Sequence, residues 1–582
     1  MLPGLFRTKS LDAALATAGD SPHALRRSLG AFHVTLMGIG AIIGAGIFAT
    51  VGTAAAGDAV RLGAGPSLML SFVITAVVCG FTALCYAEFA SMVPISGSAY
   101  TYAYTTLGEL IAWIIGWDLI LEYAVGNTAV AISWAGYFKT LLATLGIHLP
   151  DFLTMDYRTA VKEGMLDQLP VVAGIPIAFN LLAFGIVATL TILLVWGIRE
   201  SAAFNAGMVL IKIIVLMFFV IMALYYVSPA TMAENWRPFQ PNGWTGTLTG
   251  AAIIFFAYIG FDAVSTLAEE TRNPSRDLPI GIIASLVICT ILYIVVAAVF
   301  TGLMPYSDLQ TRSPAELSES LTMALDHVAP QQRWATGIVA FGSVIAHTAV
   351  LLVFQLGQPR IFYSMARDGL MPGVFASVHP RFKTPHVTTI MTGVLVGLVS
   401  AVANIEEMVD LTNIGTLFAF ILVCIGIPIL RFREPNRPRP FKVPFGPFLI
   451  PMLGVVSCAG LIYYLPPASW WRFVGWLVLG MAIFCAYGYS HSRAAHPGAR
   501  PSNIKTPFTM KLAALGFLLM AAGLFTIPHN AGPAELISLL GASTEAGHGR
   551  TQGGVGMMGV GLLLPVVGMK LTSARTKIRA RQ

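Results

Sequence analysis

The stretch from residue 38 to residue 48 reads GIGAIIGAGIF, with four glycines inside an otherwise apolar run. Glycine has no Cβ and loses the most conformational freedom on folding, so each glycine weakens a helix. The surrounding segment 32–56 is apolar and long enough to cross a bilayer. The sequence therefore predicts a membrane helix that is interrupted near its middle.

A second apolar segment, 247–269, carries the same kind of interruption, because residues 255–262 read FFAYIGFD. Lipid satisfies no backbone polar group, so an unwound stretch is tolerated only where it lines a cavity or is buried in protein. Interrupted helices at matching places in two halves are typical of a transporter with inverted repeats and a site near the midplane. The alternative is that these glycines only allow helices to pack closely.

The composition of the whole chain agrees with a membrane protein. Of 582 residues, 56% are hydrophobic and 11% are charged, against about 25% charged in ordinary globular chains. A soluble multidomain protein, a disordered chain and a disulfide-stapled fold are therefore excluded. The net charge of +7 lies in loops without a basic stripe, which argues against a nucleic-acid partner. The six cysteines lie in apolar runs without metal-ligand spacing and are interpreted as small buried hydrophobic residues.

The chain is predicted to be an all-α integral membrane protein with about fourteen transmembrane helices. The apolar stretches lie at about 32–56, 67–92, 108–143, 176–198, 201–226, 247–269, 279–303, 334–366, 387–404, 408–431, 447–466, 471–490, 508–527 and 555–571. Twelve or thirteen spans stay open as alternatives, because the last stretch is short and rich in glycine.

The distribution of charge predicts the orientation of the chain. Lys and Arg concentrate near 432–446, near 491–511 and at the end of the chain, whereas three other loops are acidic. The positive-inside rule therefore places both termini in the cytoplasm. The first 30 residues have no apolar signal-peptide core. We expect a multi-pass protein of the plasma membrane, which is the inner membrane in a bacterium.

The two interruptions offer complementary backbone groups. After the first, a half-helix begins with free N–H groups, and a helix N-terminus binds anions. At the second, unwound carbonyl groups accept hydrogen bonds from a cation. Together they predict a site for the head group of an α-amino acid, with the carboxylate at the first break and the ammonium at the second. The predicted binding residues are Ile43, Gly44, Ala45, Gly46, Phe256, Ala257 and Ile259.

Several segments of the chain carry a family resemblance. Besides GIGAIIGAGIF, they are YAEFASMVPISGSAY at 86–100, WDLILEYAVG at 117–126, FFAYIGFDAVSTLAEETRNPSRDLP at 255–279 and QPRIFYSMARDGLMP at 358–372. These segments resemble the amino acid-polyamine-organocation superfamily and, within it, the cationic amino acid transporter family with its bacterial members. The resemblance implies a leucine-transporter-like core of ten helices in two inverted five-helix repeats, with helices 1 and 6 broken.

The resemblance also implies an organisation along the chain. A cytoplasmic tail at 1–31 precedes a first repeat at 32–226, and a second repeat follows at 247–431. About four additional C-terminal spans at 447–571 and a basic cytoplasmic tail at 572–582 complete the chain.

One lysine, Lys212, lies deep in the fifth predicted span within VLIKIIV at 209–215. Ionisable residues inside spans are costly and usually functional, and an amine held away from water can release its proton near neutral pH. In proton-coupled relatives a lysine at the matching position stands where sodium-driven relatives hold a cation. The resemblance therefore implies that Lys212 couples transport to protons. The alternative is an amine that snorkels to the interface.

Two further ionisable residues are candidates for the substrate cavity. Glu122 shares a helix face with Asp118 at spacing i, i+4. Glu122 either lines the cavity and favours a cationic side chain or is a structural charge, and Asp118 is interpreted as structural.

By the resemblance His347 faces the substrate side chain, where relatives tend to carry Met or a small residue. This departure argues against arginine or lysine as the substrate, and a satisfied core histidine is the alternative.

The predicted function is a secondary active permease that imports an L-amino acid with a proton by alternating access, without a cofactor or metal. GAIIGAG lacks the GK[ST] ending of a Walker loop, and no Gly-x-Ser-x-Gly elbow occurs, so an enzyme is not expected. The nearest rival is an exchanger or uniporter for cationic amino acids. Rivals from other classes are an amino-acid-binding membrane sensor and a channel. A small single-span partner and the oligomeric state stay open.

Overall fold

The computed structural model describes residues 7–9, 28–58, 60–92, 98–172, 175–197, 202–493 and 508–525. The last predicted span at 555–571, the basic tail at 572–582 and most of the N-terminal tail lie outside the described residues.

The described chain is almost entirely helical. Its α-helices are α1 (Ala31–Ile42), α2 (Val51–Ala56), α3 (Leu68–Met92), α4 (Ser98–Thr106), α5 (Glu109–Thr144), α6 (Tyr157–Lys162), α7 (Leu181–Trp196), α8 (Ala202–Tyr226), α9 (Pro229–Asn235), α10 (Gly243–Ile254), α11 (Pro274–Leu303), α12 (Tyr306–Leu309), α13 (Pro314–Ser318), α14 (Ser320–Val328), α15 (Arg333–Arg367), α16 (His386–Val402), α17 (Ile405–Arg433), α18 (Leu449–Tyr463), α19 (Pro467–Ile483), α20 (Tyr489–His491) and α21 (Phe508–Phe525).

Shorter elements join these helices. Turns of 3-10 helix lie at Gly65–Ser67, Asp151–Leu153, Leu166–Gln168, Phe255–Tyr258, Asp262–Glu269 and Gly373–Ala376, and π-helical turns at Gly46–Thr50 and Phe484–Gly488. Two short strands, β1 (Val171–Val172) and β2 (Ile175–Pro176), pair antiparallel with Val171 opposite Pro176. The all-α prediction is therefore confirmed for the described residues apart from this small ladder.

Helices run through each of the first thirteen predicted stretches. Eight of the described helical segments are long and apolar enough to cross a membrane, and four shorter apolar helices join them. The 36-residue helix α5 is not one of the eight; it carries the polar residues Asp118, Glu122 and Asn127. The multi-pass class is thus supported, whereas the count of fourteen and the repeat boundaries stay predictions.

The helices enclose one continuous hydrophobic core that runs from Leu29 to Phe484. Helix α5 lies against α15 and α17, and α11 lies against α1 and α3. Helix α8 packs against both α1 and α15, while α16 packs on α7. Helix α21 packs on α19 through a separate small cluster around Val478 and Ala521. Helix α21 therefore packs outside the main core, whereas both interrupted segments lie inside it.

Candidate substrate and coupling site

The first predicted interruption is present between α1 and the π-helical turn at Gly46–Thr50. Helix α1 ends at Ile42, and Ile43 has an extended backbone with φ −73° and ψ 102°. Among the described residues, nothing accepts a hydrogen bond from the N–H group of Gly44. The Tyr293 hydroxyl donates to the carbonyl of Ile42 at 2.9 Å. The break thus leaves one backbone donor available while a side chain from α11 satisfies a freed acceptor.

The second predicted interruption follows α10. A 3-10 turn over Phe255–Tyr258 leads to Ile259, whose backbone is extended with ψ 133°. Gly260 has φ +121°, a conformation that L side chains rarely adopt. The Asp262 carboxylate accepts a hydrogen bond from the Gly260 N–H at 3.2 Å, so Asp262 holds the unwound segment. No described residue donates to the carbonyl of Ile259.

The two interruptions touch each other. A Cβ on Gly46 would lie 2.6 Å from the Cβ and 2.7 Å from the backbone nitrogen of Ala257. A Cβ on Gly260 would lie 2.7 Å from the carbonyl oxygen of Ala41. The glycines therefore do allow close packing, which was the alternative interpretation, but the surfaces that they bring together are the two breaks themselves.

The predicted head-group residues are all enclosed. Each of Ile43, Gly44, Ala45, Gly46, Phe256, Ala257 and Ile259 is buried. The donor at Gly44 and the acceptor at Ile259 therefore lie in a water-excluded interior, where unpaired backbone groups are costly. Such groups at the junction of two breaks fit a ligand that carries both an anionic and a cationic end.

Lys212 lies on α8 and is fully buried. Its Nζ donates to the carbonyl oxygens of Gly40 at 2.6 Å and Ile43 at 2.8 Å. These carbonyls belong to the end of α1 and to the break, where the regular helical ladder stops. The lysine is therefore bonded to the interruption itself, and its amine does not reach an interface as the snorkelling alternative required.

Glu122 and Asp118 are both buried on α5. A Cβ on Gly415 of α17 would lie 2.9 Å from an oxygen of Asp118, so this face of α5 packs against α17. Both carboxylate oxygens of Asp118 lack a hydrogen-bond partner among the described residues. No ion pair in the described part of the chain includes either acid.

His347 is fully buried on α15. Its Nδ1 lies 2.6 Å from the carbonyl oxygen of Ser343, and its Nε2 lies 2.7 Å from the Ser133 hydroxyl. A proton on Nδ1 and a lone pair on Nε2 satisfy both partners, so a neutral imidazole fits this network. The ring packs against Phe48 and Tyr137 at centroid distances of 5.7 and 5.6 Å. These contacts fit the core-histidine alternative.

Another residue of α15 touches the first break directly. A Cβ on Gly44 would lie 2.7 Å from Cγ2 of Val350, one turn along the helix from His347. The side chain of α15 beside the predicted carboxylate site is therefore aliphatic.

Two polar contacts at the site were not predicted. The Asn413 amide on α17 donates to the carbonyls of Ala252 and Ile253 at 2.9 and 3.2 Å, next to the second break. The Tyr137 hydroxyl donates to the carbonyl of Phe48 at 2.5 Å. Polar residues in apolar spans were the available signal, but sequence alone does not say which backbone group each one faces.

An ion-pair network lies near the predicted outer end of α17. Arg61 contacts Asp58 at 2.5 Å and Asp410 of α17 at 2.6 Å. Burial raises the pKa of Asp58, but the Arg61 guanidinium and backbone N–H groups lower it more strongly, so the net pKa lies below its ordinary value. A small cavity beside this network is lined by Thr50, Thr53 and Ile253. Arg61 therefore joins the segment after α2 to α17.

Two touching helix breaks, with a buried lysine bonded to one of them, define a multi-pass membrane transporter. The chain belongs to the amino acid permease family, whose model matches residues 29–484. This confirms the family resemblance noted from the motifs, and the similar proteins are transporters and not enzymes.

Three relatives illustrate the similarity. The branched-chain amino acid permease BcaP of Bacillus subtilis is 46% identical over 494 residues, which cover 85% of this chain and 99% of BcaP. The methylthioribose transporter of the same organism is 41% identical over 84% of this chain and 99% of its own length. The vacuolar cationic amino acid transporter 4 of Arabidopsis thaliana is 36% identical over 74% of this chain and 68% of its own length.

Proposed function

We propose that this permease imports a neutral L-amino acid with an apolar side chain in symport with a proton. The observation that carries the proposal is the contact of the Lys212 amine with the carbonyls of Gly40 and Ile43. It joins a titratable group directly to the backbone that would hold the substrate.

We assign the carboxylate and the ammonium of the substrate to backbone groups of the two breaks. The substrate carboxylate would accept from the N–H of Gly44 and of Ala45 and Gly46 beyond it, at the start of a half-helix. The substrate ammonium would donate to carbonyls of Phe256, Ala257 and Ile259, of which Ile259 has no partner among the described residues. Binding would therefore bridge the two breaks, so occupancy and helix position depend on each other.

The coupling follows from the same contacts. A lysine ammonium is a cationic donor with three N–H groups, and hydrogen bonds from a charged donor are roughly twice as strong as neutral ones. Loss of the proton would weaken the hold of Lys212 on Gly40 and Ile43. The first half of the broken helix could then move away from α8, and the site could open. A proton and a substrate thus both stabilise the closed arrangement of the first break.

The residues of α15 near the first break indicate which kind of substrate side chain fits the site. Val350 is the residue of this helix beside Gly44, and the satisfied imidazole of His347 offers no negative charge to a cationic side chain. The 46% identity with a protein named a branched-chain amino acid permease supports the same substrate class.

The rival is exchange or uniport of a cationic amino acid. Two observations favour it: Glu122 and Asp118 are buried without an ionic partner among the described residues, and relatives include cationic amino acid transporters. This function predicts arginine transport that needs substrate on the far side or follows the membrane voltage.

The test is uptake of labelled leucine, alanine and arginine into proteoliposomes with and without an inward proton gradient. We expect leucine or alanine to accumulate only with the gradient and arginine not to accumulate. Uptake of arginine that ignores the gradient would overturn the proposal and support the rival.

Lys212→Met, which keeps the volume of the aliphatic chain, tests the coupling group. We expect it to lose accumulation under the gradient and to retain counterflow of unlabelled for labelled substrate. The matched control is Lys139→Met, because Lys139 is paired with Asp151 outside the core and should transport like the wild type. Normal gradient-driven accumulation in Lys212→Met would refute the coupling claim.

A further inference from the structure

A second cavity lies away from the substrate site, on the side that the positive-inside rule assigns to the cytoplasm. Its volume is about 630 Å³. The residues that matter in its wall come from the N-terminal segment, α4, the end of α15 and the segment after α20; they are Arg7, Lys9, Tyr104, Arg367, Asp368 and Arg493. Four segments that are distant in sequence therefore meet around one space.

The backbone of this wall is held by hydrogen bonds between these regions. The N–H of Glu109 donates to the carbonyl of Arg7 at 2.9 Å, and the N–H of Lys9 donates to the carbonyl of Tyr104 at 3.1 Å. The N–H of Arg493 donates to the carbonyl of Asp368 at 3.0 Å. The basic side chains thus project from a backbone that is fixed on both sides of the cavity.

The charges of the wall are not balanced. Four basic residues face a single carboxylate, Asp368, which already contacts Lys9 at 3.1 Å and the Tyr100 hydroxyl at 3.0 Å. In the described part of the chain, Arg7, Arg367 and Arg493 form no ion pair.

The neighbouring Glu109 offsets only part of this charge, through an electrostatic attraction to Arg7 without an ion-pair contact. One of its oxygens accepts from the Ser492 hydroxyl at 2.6 Å, and no arginine of the wall pairs with it. Even with Glu109 counted, the surroundings hold more positive than negative charge, and like charges that surround one space repel each other unless an anion binds.

We propose that this cavity binds the phosphate group of an organic phosphate. Guanidinium groups bind phosphate oxygens in bidentate fashion, and three of them from different directions match its tetrahedral oxygens. The cavity of about 630 Å³ leaves room for an organic group beside the phosphate. The same chemistry is offered by the headgroup of an anionic phospholipid in the cytoplasmic leaflet and by a soluble nucleotide.

Binding there would have a mechanical consequence. A phosphate held by Arg7, Arg367 and Arg493 would link the N-terminal segment to the ends of α15 and α20. The ligand would therefore stabilise the arrangement in which the N-terminal segment covers α4 and α15.

The experiment measures the thermal unfolding of the purified full-length protein in detergent. Short-chain phosphatidylglycerol, short-chain phosphatidylcholine, ATP and inorganic phosphate are each titrated at low and high salt. We expect phosphatidylglycerol or ATP to raise the midpoint temperature saturably and phosphatidylcholine not to do so, with a smaller shift at high salt because the contact is ionic. A shift with phosphatidylglycerol assigns the lipid headgroup as the source, and one with ATP assigns the soluble ester.

The variants decide whether the cavity is responsible. In Arg367→Gln/Arg493→Gln we expect at least about tenfold weaker binding, because two charge-assisted contacts are lost. The control is Arg381→Gln, since Arg381 is an exposed arginine between α15 and α16 that is not in the cavity wall. No shift with any phosphate, or equal binding by the double variant and Arg381→Gln, would overturn the proposal. Transport activity is not the readout, so this result is independent of the proposed substrate and coupling.

Discussion

At both helix breaks, backbone carbonyl groups accept a hydrogen bond from a side chain of another helix, but the donor side chains differ. At the first, the carbonyls of Gly40 and Ile43 accept from Lys212 on α8. Near the second, the carbonyls of Ala252 and Ile253 accept from Asn413 on α17. A lysine donor can gain or lose a proton, whereas an amide donor keeps its hydrogens at every accessible pH. The comparison suggests that one break is responsive to protons and the other is permanent.

The largest loss of uptake is expected from substitutions at the point where the two breaks touch. Gly46→Ala would bring a Cβ to 2.6 Å from the Ala257 Cβ, and the two breaks would have to separate. Because a misplacement of about 1 Å in a site can cost on the order of 100-fold in rate, we expect uptake to fall by about that factor. Gly260→Ala should behave alike, since φ is +121° there.

The matched control for these glycines is Gly80→Ala on α3, where nothing lies within 4 Å of the added carbon. This variant should transport normally. Normal transport by Gly46→Ala in the same vesicle assay would mean that the breaks do not need to touch.

The next-largest effect on uptake distinguishes the lysine donor at the first break from the amide donor at the second. Lys212→Gln should abolish the difference between uptake with and without a proton gradient. Asn413→Leu leaves two buried carbonyls without this donor, and an unsatisfied buried group costs about 1–3 kcal/mol. We therefore expect uptake to fall by roughly tenfold while its dependence on the gradient is kept.

The ratio of gradient-driven to gradient-free uptake is the measurement that checks this pair. An Asn413→Leu variant whose ratio collapses as in Lys212→Gln would show that both breaks respond to protons, and the comparison would have to be abandoned.

A smaller effect is expected at the outer end of α17. Asp410→Asn removes one partner of Arg61, and we expect a cysteine introduced at Thr53 to react with a water-soluble thiol reagent about five to ten times faster. All six native cysteines are buried, so background reaction should be low. Asp151→Asn, at an exposed pair with Lys139, is the control and should leave the rate unchanged.

The same network has a pH dependence with a defined sign. The pKa of Asp58 lies below its ordinary value, so its ion pair contributes stability above the unfolded-state pKa and loses that contribution as the pH falls through the folded-state pKa. The thiolate is the reactive form of any cysteine and becomes scarcer as the pH falls, so the rate is expressed relative to a cysteine at an exposed control position. This relative rate at a cysteine in place of Thr53 should rise as the pH falls through the folded-state pKa of Asp58 and should stay unchanged in mild alkali.

The smallest effect is expected at His347. If Lys212 alone makes the first break sensitive to protons, His347→Gln should leave the pH profile of uptake within about twofold of the wild type, because a neutral histidine contributes no charge. A lost pH profile would assign proton sensing to His347 as well. Faster arginine uptake in His347→Ser would show that the ring does restrict the substrate.

Much of the fold was readable from local pattern. Apolar runs of sufficient length specify membrane helices because the bilayer imposes both length and composition, and helices occupy each of the first thirteen predicted stretches. The breaks at 38–48 and 255–262 were also readable locally, because glycine weakens a helix; the first stretch has four glycines and the second has Gly260.

The sequence by itself also determined that Lys212 lies within an apolar span, but it left open whether the amine stays inside the protein or snorkels to the interface. Only the tertiary structure decided that its amine bonds to Gly40 and Ile43, that Asn413 faces the other break and that Arg61 reaches Asp410. It also placed Val350 beside Gly44, one turn from His347. Hydrophobic periodicity specifies which residues are buried, but the partner of a buried polar group depends on how helices rotate and cross, and that is set by contacts between residues far apart in the chain.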